Sequence, residues 1–415
     1  MGDQCQSSEP RQQGQGSGMP RAANGATVAG GNAAMMSRQP GSMFKPSDIT
    51  DSDFANYFCT YGFLYHQKQM LEDTKRMRSY RDSIFLNKKF FQDKVVLDVG
   101  TGSGILAIWC AQAGARKVYA VEATGMAANA RVLANANNVG HIVEVIHSTV
   151  EALELPEKVD CIISEWMGYF LLRESMLDAV IVARDKFLKP GGSLWPSHAR
   201  MYVAPASTAM THNKVSARGH ALDDWEQFKQ STFSEYGVDL SALSEYYERE
   251  QTEYYMQTVQ WAEVGPWQLL GKAAVILDID LATVTLPEIT EVHSKFSCQL
   301  WPSQMGEEEE EIEVSAMCGW FDVTFKGAPG EPATQEVLLC TAPEEGVCTH
   351  WGQSLFLVHP ALYGAAEEHV SGTIDVTRQK TNFRLLDVCM NLQVTSGKDD
   401  ATAASKPAQF FYKFE

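Results

Sequence analysis

The chain has 415 residues, of which 45% are hydrophobic and 21% charged, a composition typical of a globular protein with room for two domains. Its formal net charge is −18, from 34 basic and 52 acidic residues. This charge disfavours nucleic acid as a direct ligand, because phosphate binding requires basic groups, and it favours a cationic partner. The sequence has neither a run of about 18 apolar residues nor an apolar N-terminal core, so it predicts no membrane span and no secretory leader.

Nine cysteines are scattered along the chain, and no two of them form a Cys-x-x-Cys pair. An odd number of cysteines, several of them within apolar segments, favours reduced and buried thiols over a disulfide framework. This pattern predicts an intracellular protein, cytoplasmic, nuclear or both, without a zinc site or another metal.

Residues 1–50 are rich in Gly, Ser, Gln, Ala and Met and show no apolar periodicity, which predicts a disordered tail. Order is expected from residue 51, and a first domain is predicted over 51–196. Between Tyr57 and Phe85, aromatic and aliphatic residues recur at helical spacing, so N-terminal helices are expected before the first strand.

A glycine-rich turn lies in the segment Lys94–Gly104, between a predicted strand and a helix predicted over 105–113. Its glycines allow the backbone to approach a ligand closely and permit positive φ. The three glycines of this turn are Gly100, Gly102 and Gly104. A second buried strand, Lys117–Glu122, ends in an acid where nucleoside-binding α/β folds hold the ribose hydroxyls.

The pattern Gly102-x-Gly104-x-x-Ala107 also satisfies the dinucleotide-binding motif, so a dehydrogenase is an alternative. Asp98, two residues before Gly100, favours a different ligand, because its negative charge would repel a pyrophosphate placed on this turn. The same charge suits an ammonium or a sulfonium group. This stretch therefore favours S-adenosylmethionine over a dinucleotide.

Strands and helices continue to alternate along the rest of the first domain. A helix is predicted over 126–137, strands over 142–146 and 159–163, a helix near 175–187 and a break at Lys189–Gly192. This order predicts an α/β fold with a mostly parallel, doubly wound sheet, and the ligand then belongs at the carboxyl ends of the strands. Four acids fall at or near such ends: Asp98, Glu122, Glu151 and Glu165.

The segment Ser164–Glu174 carries two glutamates nine residues apart, with Trp-Met-Gly-Tyr-Phe-Leu-Leu-Arg between them. A carboxylate leaving a strand, a Gly-centred loop and a second carboxylate would form a hairpin whose acids face each other across an aromatic slot. Such a slot suits a guanidinium, which carboxylates bind bidentately. The alternative is a buried loop whose glutamates point to water.

Beyond residue 196 the sequence changes to short β-branched runs separated by turn signals, which is typical of an antiparallel sandwich or barrel. The predicted strands are 199–203, 275–280, 298–301, 312–325, 337–340, 355–358, 373–376 and 382–388. A second domain is thus predicted over 197–415.

Three segments interrupt this pattern. Residues 206–260 are helical and polar, either a partner-binding arm or a long surface excursion. The run Glu307–Glu311 is either a solvated loop or a docking patch for basic peptides. Thr349-His350-Trp351 lies between two strands, and its histidine is structural unless it faces a site.

The chain resembles the protein arginine methyltransferases over about residues 50–415, specifically the type I group and most of all its plant-specific member with a long dimerisation arm. The motifs that carry the resemblance are Tyr57-Phe58-x-x-Tyr61, the turn from Val96 to Gly104, the Glu122 strand, the loop 164–174 and Thr349-His350-Trp351. It implies a class I, Rossmann-like S-adenosylmethionine-dependent methyltransferase domain, followed by an antiparallel β-barrel domain. It also implies a ring-like homodimer, in which the arm at 206–260 grips the partner's nucleotide domain.

The resemblance also implies a role for each matching residue toward the methyl donor, S-adenosylmethionine. Arg76 would bind the methionine carboxylate, Asp98 and Gly100 the methionine end, Glu122 the ribose and Glu151 the adenine amine, with Gly102 and Gly104 completing the turn. One position departs from the family pattern: many relatives carry a histidine beside the cofactor where this chain has Gln67, with His66 one residue earlier.

On the substrate side, the resemblance implies that Glu165 and Glu174 hold the guanidinium and that Asp73 and His350 form a pair near the site. Tyr61 and Trp351 would line the substrate position, and Met70 and Met176 would shape the wall that determines the product. Trp195-Pro196 matches a cis-proline position.

The implied reaction is methyl transfer from S-adenosylmethionine to arginine nitrogens of proteins, giving monomethyl- and asymmetric dimethylarginine. Basic substrates such as Arg/Gly-rich proteins and histone tails fit the charge of −18. The proton leaving the nitrogen would go to Glu174 or to the Asp73–His350 pair. Two alternatives remain, a methyltransferase acting on another group and an inactive dimer partner with the same fold.

Overall fold

The structure is a computed structural model and describes residues 60–302, 311–396 and 407–414. The predicted tail, Tyr57-Phe58 and residues 307–310 of the glutamate run lie outside the described residues. No helix of the described residues is long and apolar enough to cross a membrane.

Two helices precede the central sheet, α1 (Leu64–Glu72) and α2 (Thr74–Phe85). Asp73 separates them, and its side chain caps α2 by accepting a hydrogen bond from the backbone N–H of Arg76 at 3.0 Å. α2 buries Arg76 and Tyr80 against the sheet. The predicted helices before the first strand are therefore confirmed where the structure describes them.

The central sheet has five parallel strands in the order β3-β2-β1-β4-β5. The strands are β1 (Val95–Val99), β2 (Lys117–Glu122), β3 (Val143–His147), β4 (Val159–Ser164) and β5 (Leu188–Trp195). The connecting helices are α3 (Ile105–Gln112), α4 (Met126–Ala136) and α5 (Leu177–Phe187). Chain order reverses between β1 and β4, and such a switch point is where α/β sheets bind ligands.

The predicted α/β fold is confirmed, because β1 and β4 are almost wholly buried apolar strands covered by helices. One boundary was wrong. Lys189–Gly192, predicted as a break, lies within β5, which pairs with β4 at Leu188 and again from Ser193 after a shift in register. A register shift accommodates Pro190 and the two glycines without ending the strand.

The second half of the chain forms two antiparallel sheets, one in the order β7-β12-β10-β6-β8 with β11 also paired to β10, the other in the order β15-β14-β13-β9. The strands are β6 (His198–Ala206), β7 (Gln260–Ala262), β8 (Ala274–Asp280), β9 (Glu291–Gln299), β10 (Ile312–Ala328), β11 (Glu331–Cys340), β12 (Gln353–Gly364), β13 (His369–Arg378), β14 (Leu386–Thr395) and β15 (Ala408–Lys413). A short helix, α8 (Leu286–Thr290), precedes β9. The predicted antiparallel architecture is confirmed, and the Trp195–Pro196 peptide bond before it is cis, as predicted.

Two of the predicted strands were misplaced. The run 298–301 is only the end of β9, which begins at Glu291. The run 382–388 does not begin as a strand, because Asn382 forms a turn before β14 starts at Leu386. Asn382 accepts from the backbone N–H of Arg384 through its side chain at 3.0 Å, a local bond that competes with strand formation.

The segment predicted as helical at 206–260 forms α6 (Ala209–Tyr236) and α7 (Ser244–Thr252), which we call the arm. The two helices contact each other through Trp225, which stacks on Tyr247 with ring centroids 4.5 Å apart and donates to the Ser244 hydroxyl at 3.1 Å. Five apolar residues at the far end of the arm, the arm tip, are each about half exposed or more: Phe228, Phe233, Tyr236, Val238 and Leu243. The arm therefore presents an apolar tip that this single chain leaves uncovered.

Candidate active site

A cavity of about 640 Å³ lies between the loop 164–174, the first helices and the antiparallel sheets. Its lining is Thr60, Tyr61, His66, Gln69, Met70, Glu165, Met167, Tyr169, Arg173, Glu174, His350, Trp351, Asn382, Arg384 and Leu385. Six residues selected from the sequence are among them: Tyr61, Met70, Glu165, Glu174, His350 and Trp351. Residues up to 325 positions apart in the chain, from Thr60 to Leu385, thus surround one space.

The loop 164–174 forms the predicted hairpin, closed by a hydrogen bond from the Gly168 N–H to the Leu171 carbonyl at 3.0 Å. A Cβ on Gly168 would lie 1.9 Å from the carbonyl oxygen of Arg173, so the turn requires glycine there. Glu174 has a φ of +79°, a left-handed conformation that is uncommon for a side chain with a Cβ. The hairpin brings Glu165 and Glu174 to the same cavity.

Glu165 forms an ion pair with Arg76, whose Nη2 lies 2.9 Å from Glu165 Oε2. Both side chains are largely buried, 10% and 13% exposed. The other carboxylate oxygen, Oε1, is also buried and has no hydrogen-bond partner among the described residues. A buried acceptor without a donor is costly, so this oxygen is suited to a ligand N–H.

Glu174 accepts a hydrogen bond from the Tyr61 hydroxyl at 2.6 Å, and the Arg173 guanidinium lies 3.7 Å from its other oxygen. Burial raises the pKa of Glu174 above its ordinary value, and the charge of Glu165 raises it further. The Tyr61 hydrogen bond and the charges of Arg173 and Arg384 lower this pKa and offset part of the rise.

His350 and Asp73 are paired, with His350 Nδ1 2.7 Å from Asp73 Oδ2, and the His350 backbone N–H donates to the same oxygen at 2.9 Å. Burial alone would raise the pKa of Asp73, but its hydrogen bonds with His350 and Arg76 outweigh burial and hold the pKa below the ordinary value. An ionised Asp73 accepts hydrogen bonds only, so Nδ1 carries the proton and Nε2 is left as the basic nitrogen. Trp351, the next residue, joins this segment to the loop 164–174, because its Nε1–H donates to the Met167 carbonyl at 2.9 Å.

Asp98 lies fully buried at the end of β1, where Oδ2 accepts a hydrogen bond from the Thr101 hydroxyl at 2.5 Å. Its second oxygen, Oδ1, is buried and has no hydrogen-bond partner in the described part of the chain. Burial raises the pKa of Asp98 to about 7, the Thr101 hydroxyl and the Ala107 backbone N–H oppose the rise, and the charge of Glu122 adds to it. A cationic group placed beside Oδ1 would satisfy both the orphaned oxygen and the buried charge.

Glu122 closes the glycine turn from the end of β2. Its two oxygens accept hydrogen bonds from the backbone N–H groups of Gly102 at 2.9 Å and Thr124 at 2.8 Å. Each carboxylate oxygen has capacity for a further hydrogen bond, so these bonds orient Glu122 and leave room for ligand hydroxyls. Glu151, beyond the end of β3, is exposed.

Two side chains lie directly on the glycines of the turn. A Cβ added to Gly100 would lie 2.2 Å from the terminal carbon of Met176, and one added to Gly102 would lie 2.9 Å from Gln67 Oε1. Gln67 also accepts from the backbone N–H of Ser103 at 3.3 Å and donates to the Tyr61 carbonyl at 3.2 Å. The position at which this chain departs from the family pattern therefore contacts the glycine turn, whereas His66 lines the cavity.

Several cavity residues were missed from the sequence. Arg173 and Tyr169 lie within the loop 164–174, and the only sequence signal for them was that they are close to Glu174 in the chain. Arg384 lies in a segment predicted as a strand, more than 200 positions from Glu174, and nothing local pointed to the cavity.

The fold and the cavity define a class of protein: a doubly wound methyltransferase-like sheet joined to antiparallel sheets, with paired carboxylates between them. Family models agree with this description. A methyltransferase domain matches residues 96–192, and the arginine methyltransferase oligomerization subdomain matches residues 197–397.

Known proteins resemble the chain over most of its length. Protein arginine N-methyltransferase PRMT10 of Oryza sativa subsp. japonica is 48% identical over 375 residues, 90% of this chain and 94% of the rice protein. PRMT10 of Arabidopsis thaliana is 47% identical over 358 residues, 86% of this chain and 92% of that protein. The chain belongs to the protein arginine N-methyltransferase family.

Two solved structures of arginine methyltransferases resemble the chain as well. The crystal structure of Arabidopsis thaliana protein arginine methyltransferase 10, described as uniquely open, matches with a TM-score of 0.82 and 46% identity, covering 86% of this chain and 100% of that one. The Trypanosoma brucei PRMT1 enzyme–prozyme heterotetrameric complex with AdoHcy matches with a TM-score of 0.68 and 30% identity, again covering 86% and 100%.

Proposed function

We propose that this protein transfers methyl groups from S-adenosylmethionine to the guanidinium nitrogens of arginine in basic proteins, giving monomethyl- and asymmetric dimethylarginine. The observation that carries the proposal is the pair Glu165 and Glu174, two carboxylates from one hairpin that line a single cavity. A planar cation with five N–H donors satisfies both acids at once. Membership of the protein arginine N-methyltransferases supports the same substrate group.

The residues beside the glycine turn fit the methyl donor. The orphaned Oδ1 of Asp98 suits its ammonium group, Glu122 its ribose hydroxyls and Arg76 its carboxylate, while Gly100 lets the backbone approach it. Glu151 is assigned to the adenine amine, and its exposure leaves it free to turn toward the base. When bound, this group supplies an electrophilic methyl carbon.

The chain's own residues address the poor nucleophilicity of guanidinium, whose lone pairs are delocalised and protonated. Glu165 and Glu174 hold the group in one orientation, which removes an entropic barrier to in-line attack. They also draw positive charge toward the bonded nitrogens and leave the reacting nitrogen richer in electrons.

The nitrogen that gains a methyl group must lose a proton, and His350 is the better placed acceptor. Its Nδ1 is held by Asp73 at 2.7 Å, which leaves Nε2 basic, whereas Glu174 already accepts from Tyr61. Asymmetric product is assigned from Met70 and Met176, the methionines that match the family's product-determining wall. Met70 lines the cavity, and Met176 lies on Gly100 beside it.

The working form is a ring-like homodimer, in which the arm of one copy packs on the sheet domain of the other. The apolar arm tip and the match to an oligomerization subdomain support this assembly. Val132 and Leu133 on α4, 68% and 38% exposed, offer apolar surface on the sheet domain. The free cysteines of the described residues support an intracellular location, in the cytoplasm, the nucleus or both.

The proposed function is tested by mass spectrometry of an Arg- and Gly-rich peptide incubated with the protein and S-adenosylmethionine. We expect monomethyl- and asymmetric dimethylarginine, identified by their product ions, with a histone-tail peptide as a second substrate. A lysine-substituted copy of the peptide is the matched control and should stay unmodified. Cofactor binding without methylation of any arginine peptide would contradict the proposal.

The affinity for S-adenosylmethionine should depend on pH through Asp98. Its carboxylate must be ionised to pair with the ammonium, and because its pKa is raised to about 7, affinity should be full above about pH 8. Below pH 7 the affinity should fall about tenfold per pH unit. Calorimetric titration between pH 5.5 and 8.5 measures this. Asp98→Asn should bind weakly at every pH, and a wild-type affinity that is constant down to pH 5.5 would refute the assignment.

A further inference from the structure

We call the two carboxylates Glu165 and Glu174 the clamp. A turn of the antiparallel domain reaches the second of them, Glu174. Residues 379–385 connect β13 to β14, and Arg384 within this turn contacts Glu174 from across the cavity wall. The Glu174 backbone N–H donates to the Arg384 carbonyl at 2.7 Å. The Arg384 guanidinium donates from Nη1 to the Glu174 carbonyl, also at 2.7 Å. Both backbone polar groups of Glu174 are therefore bound to one residue.

Glu174 needs such support because its backbone is strained. Its φ of +79° and the φ of +58° at Ser175 are left-handed conformations, which side chains with a Cβ adopt rarely and which persist only when surrounding contacts hold them. Ser175 is held from the same turn, since its hydroxyl donates to the Phe383 carbonyl at 2.6 Å. Three hydrogen bonds from residues 383–384 thus stabilise the strained pair.

The turn itself is firmly built. Asn382 accepts from the Arg384 N–H through its side chain and from the Leu385 N–H through its carbonyl, both at 3.0 Å. At the end of β13, Arg378 forms a two-point ion pair with Asp178 of α5, at 2.6 and 2.7 Å. The β13–β14 hairpin is therefore attached to the sheet domain at two places, through Arg378 and through Arg384. Of these two contacts, only the one made by Arg384 reaches the cavity.

Arg384 also places a positive charge near the clamp. The charged or titratable groups around Glu174 are Tyr61 from the N-terminal segment, Tyr169, Arg173 and Glu165 from its own loop and Arg384 from the antiparallel domain. Of these, Arg384 is the cation contributed from outside the loop. Its charge lowers the pKa of Glu174 and helps to keep that buried carboxylate ionised.

We propose that Arg384 is a positioning residue, which holds the strained backbone of Glu174 so that the second carboxylate is oriented toward a substrate guanidinium. The inference rests on the proposed function, because it assigns Glu174 to substrate binding. It adds Arg384 to His350 and Trp351 as a third residue that the antiparallel part of the chain contributes to the substrate site.

Arg384→Ala is expected to lower kcat/KM for an arginine peptide about 10- to 100-fold, the usual effect of losing a charge-assisted hydrogen bond. Affinity for S-adenosylmethionine should stay within about twofold, because Arg384 does not contact the glycine turn. At S-adenosylmethionine concentrations that saturate every variant throughout the pH range, so that Asp98 does not limit the rate, the acid limb of the pH–rate profile should move to higher pH, because the pKa of Glu174 rises without the Arg384 charge. Arg384→Lys, which keeps the charge, should restore the acid limb.

Arg378→Ala is the matched control. It breaks the other attachment of the same hairpin, to Asp178, at a residue that does not line the cavity. We expect a lower Tm for this variant, with kcat/KM of the folded enzyme within about threefold of wild type and an unchanged acid limb. Equal losses and equal pH profiles in Arg384→Ala and Arg378→Ala would overturn the positioning role.

Hydrogen–deuterium exchange separates this inference from the proposed function. The Glu174 amide donates to the backbone carbonyl of Arg384, which Arg384→Ala retains, but the variant loses the side-chain bond to the Glu174 carbonyl. This loss should loosen the pair, so the Glu174 amide should exchange faster in Arg384→Ala than in Arg378→Ala or wild type, whether or not the enzyme methylates the peptide. Wild-type protein that methylates no arginine peptide would defeat the proposed function alone. Unchanged exchange at Glu174 in Arg384→Ala would defeat the positioning role alone.

Discussion

Replacing either clamp glutamate by glutamine should lower the turnover of an arginine peptide at least about a hundredfold, a loss of roughly 2.7 kcal/mol of transition-state stabilisation. Glutamine keeps the size of the side chain but removes the negative charge that holds and polarises the guanidinium. Glu165→Gln and Glu174→Gln are measured by steady-state kinetics with labelled S-adenosylmethionine. Glu154→Gln, at an exposed glutamate 88% accessible, is the matched control and should be unaffected.

The two variants should differ in cofactor binding. Glu165 pairs with Arg76 at 2.9 Å, and Arg76 is the residue assigned to the donor's carboxylate. Removing the charge of Glu165 leaves the largely buried Arg76 without its ion pair, so affinity for S-adenosylmethionine should fall in Glu165→Gln. Glu174 contacts Tyr61, so Glu174→Gln should retain more of the affinity. Near-normal turnover in either variant would refute the clamp.

Shortening the arm should convert the proposed homodimer to a monomer with at least about tenfold lower activity, because assembly and folded function are coupled in obligate dimers. The deletion must spare the base of the arm. Thr208 and Thr211 of that base bond to Ser315 of β10 at 2.9 and 2.7 Å. The Nε–H of Arg218 donates to the Thr252 hydroxyl at 2.9 Å, so these two residues lie side by side. A short Gly/Ser linker between them can therefore replace residues 219–251.

Analytical ultracentrifugation measures the oligomeric state of the shortened protein. Phe233→Ser, at the arm tip, should weaken the dimer, whereas Trp267→Ser, at a similarly exposed aromatic outside the arm, should leave it intact. A shortened protein that still sediments as a dimer, or Trp267→Ser acting like Phe233→Ser, would count against the arm as the interface.

The α/β sheet and the antiparallel sheets could be predicted from the sequence because their signals are local. Buried strands such as Val95–Val99 are continuous apolar runs, and the arm helices have the length and composition of helices. The acids at the strand ends could also be predicted to lie near one edge, because parallel strands end on the same side of a sheet. Boundaries failed where local chemistry competed with pairing, at Lys189–Gly192 and at Asn382.

Sequence alone selected the side chains to which we assign chemistry: the paired glutamates, Asp98 before the glycine turn and a histidine between two strands. The pairing of Asp73 with His350, 277 positions apart, was expected only through the family resemblance, and the contact of Glu174 with Arg384, 210 positions apart, was decided by tertiary structure alone. Composition and periodicity report on neighbours within a few residues, whereas these contacts depend on how the central sheet and the antiparallel sheets pack. The strained backbone of Glu174 is the clearest case, because the hydrogen bonds that stabilise it come from the turn between two antiparallel strands, β13 and β14.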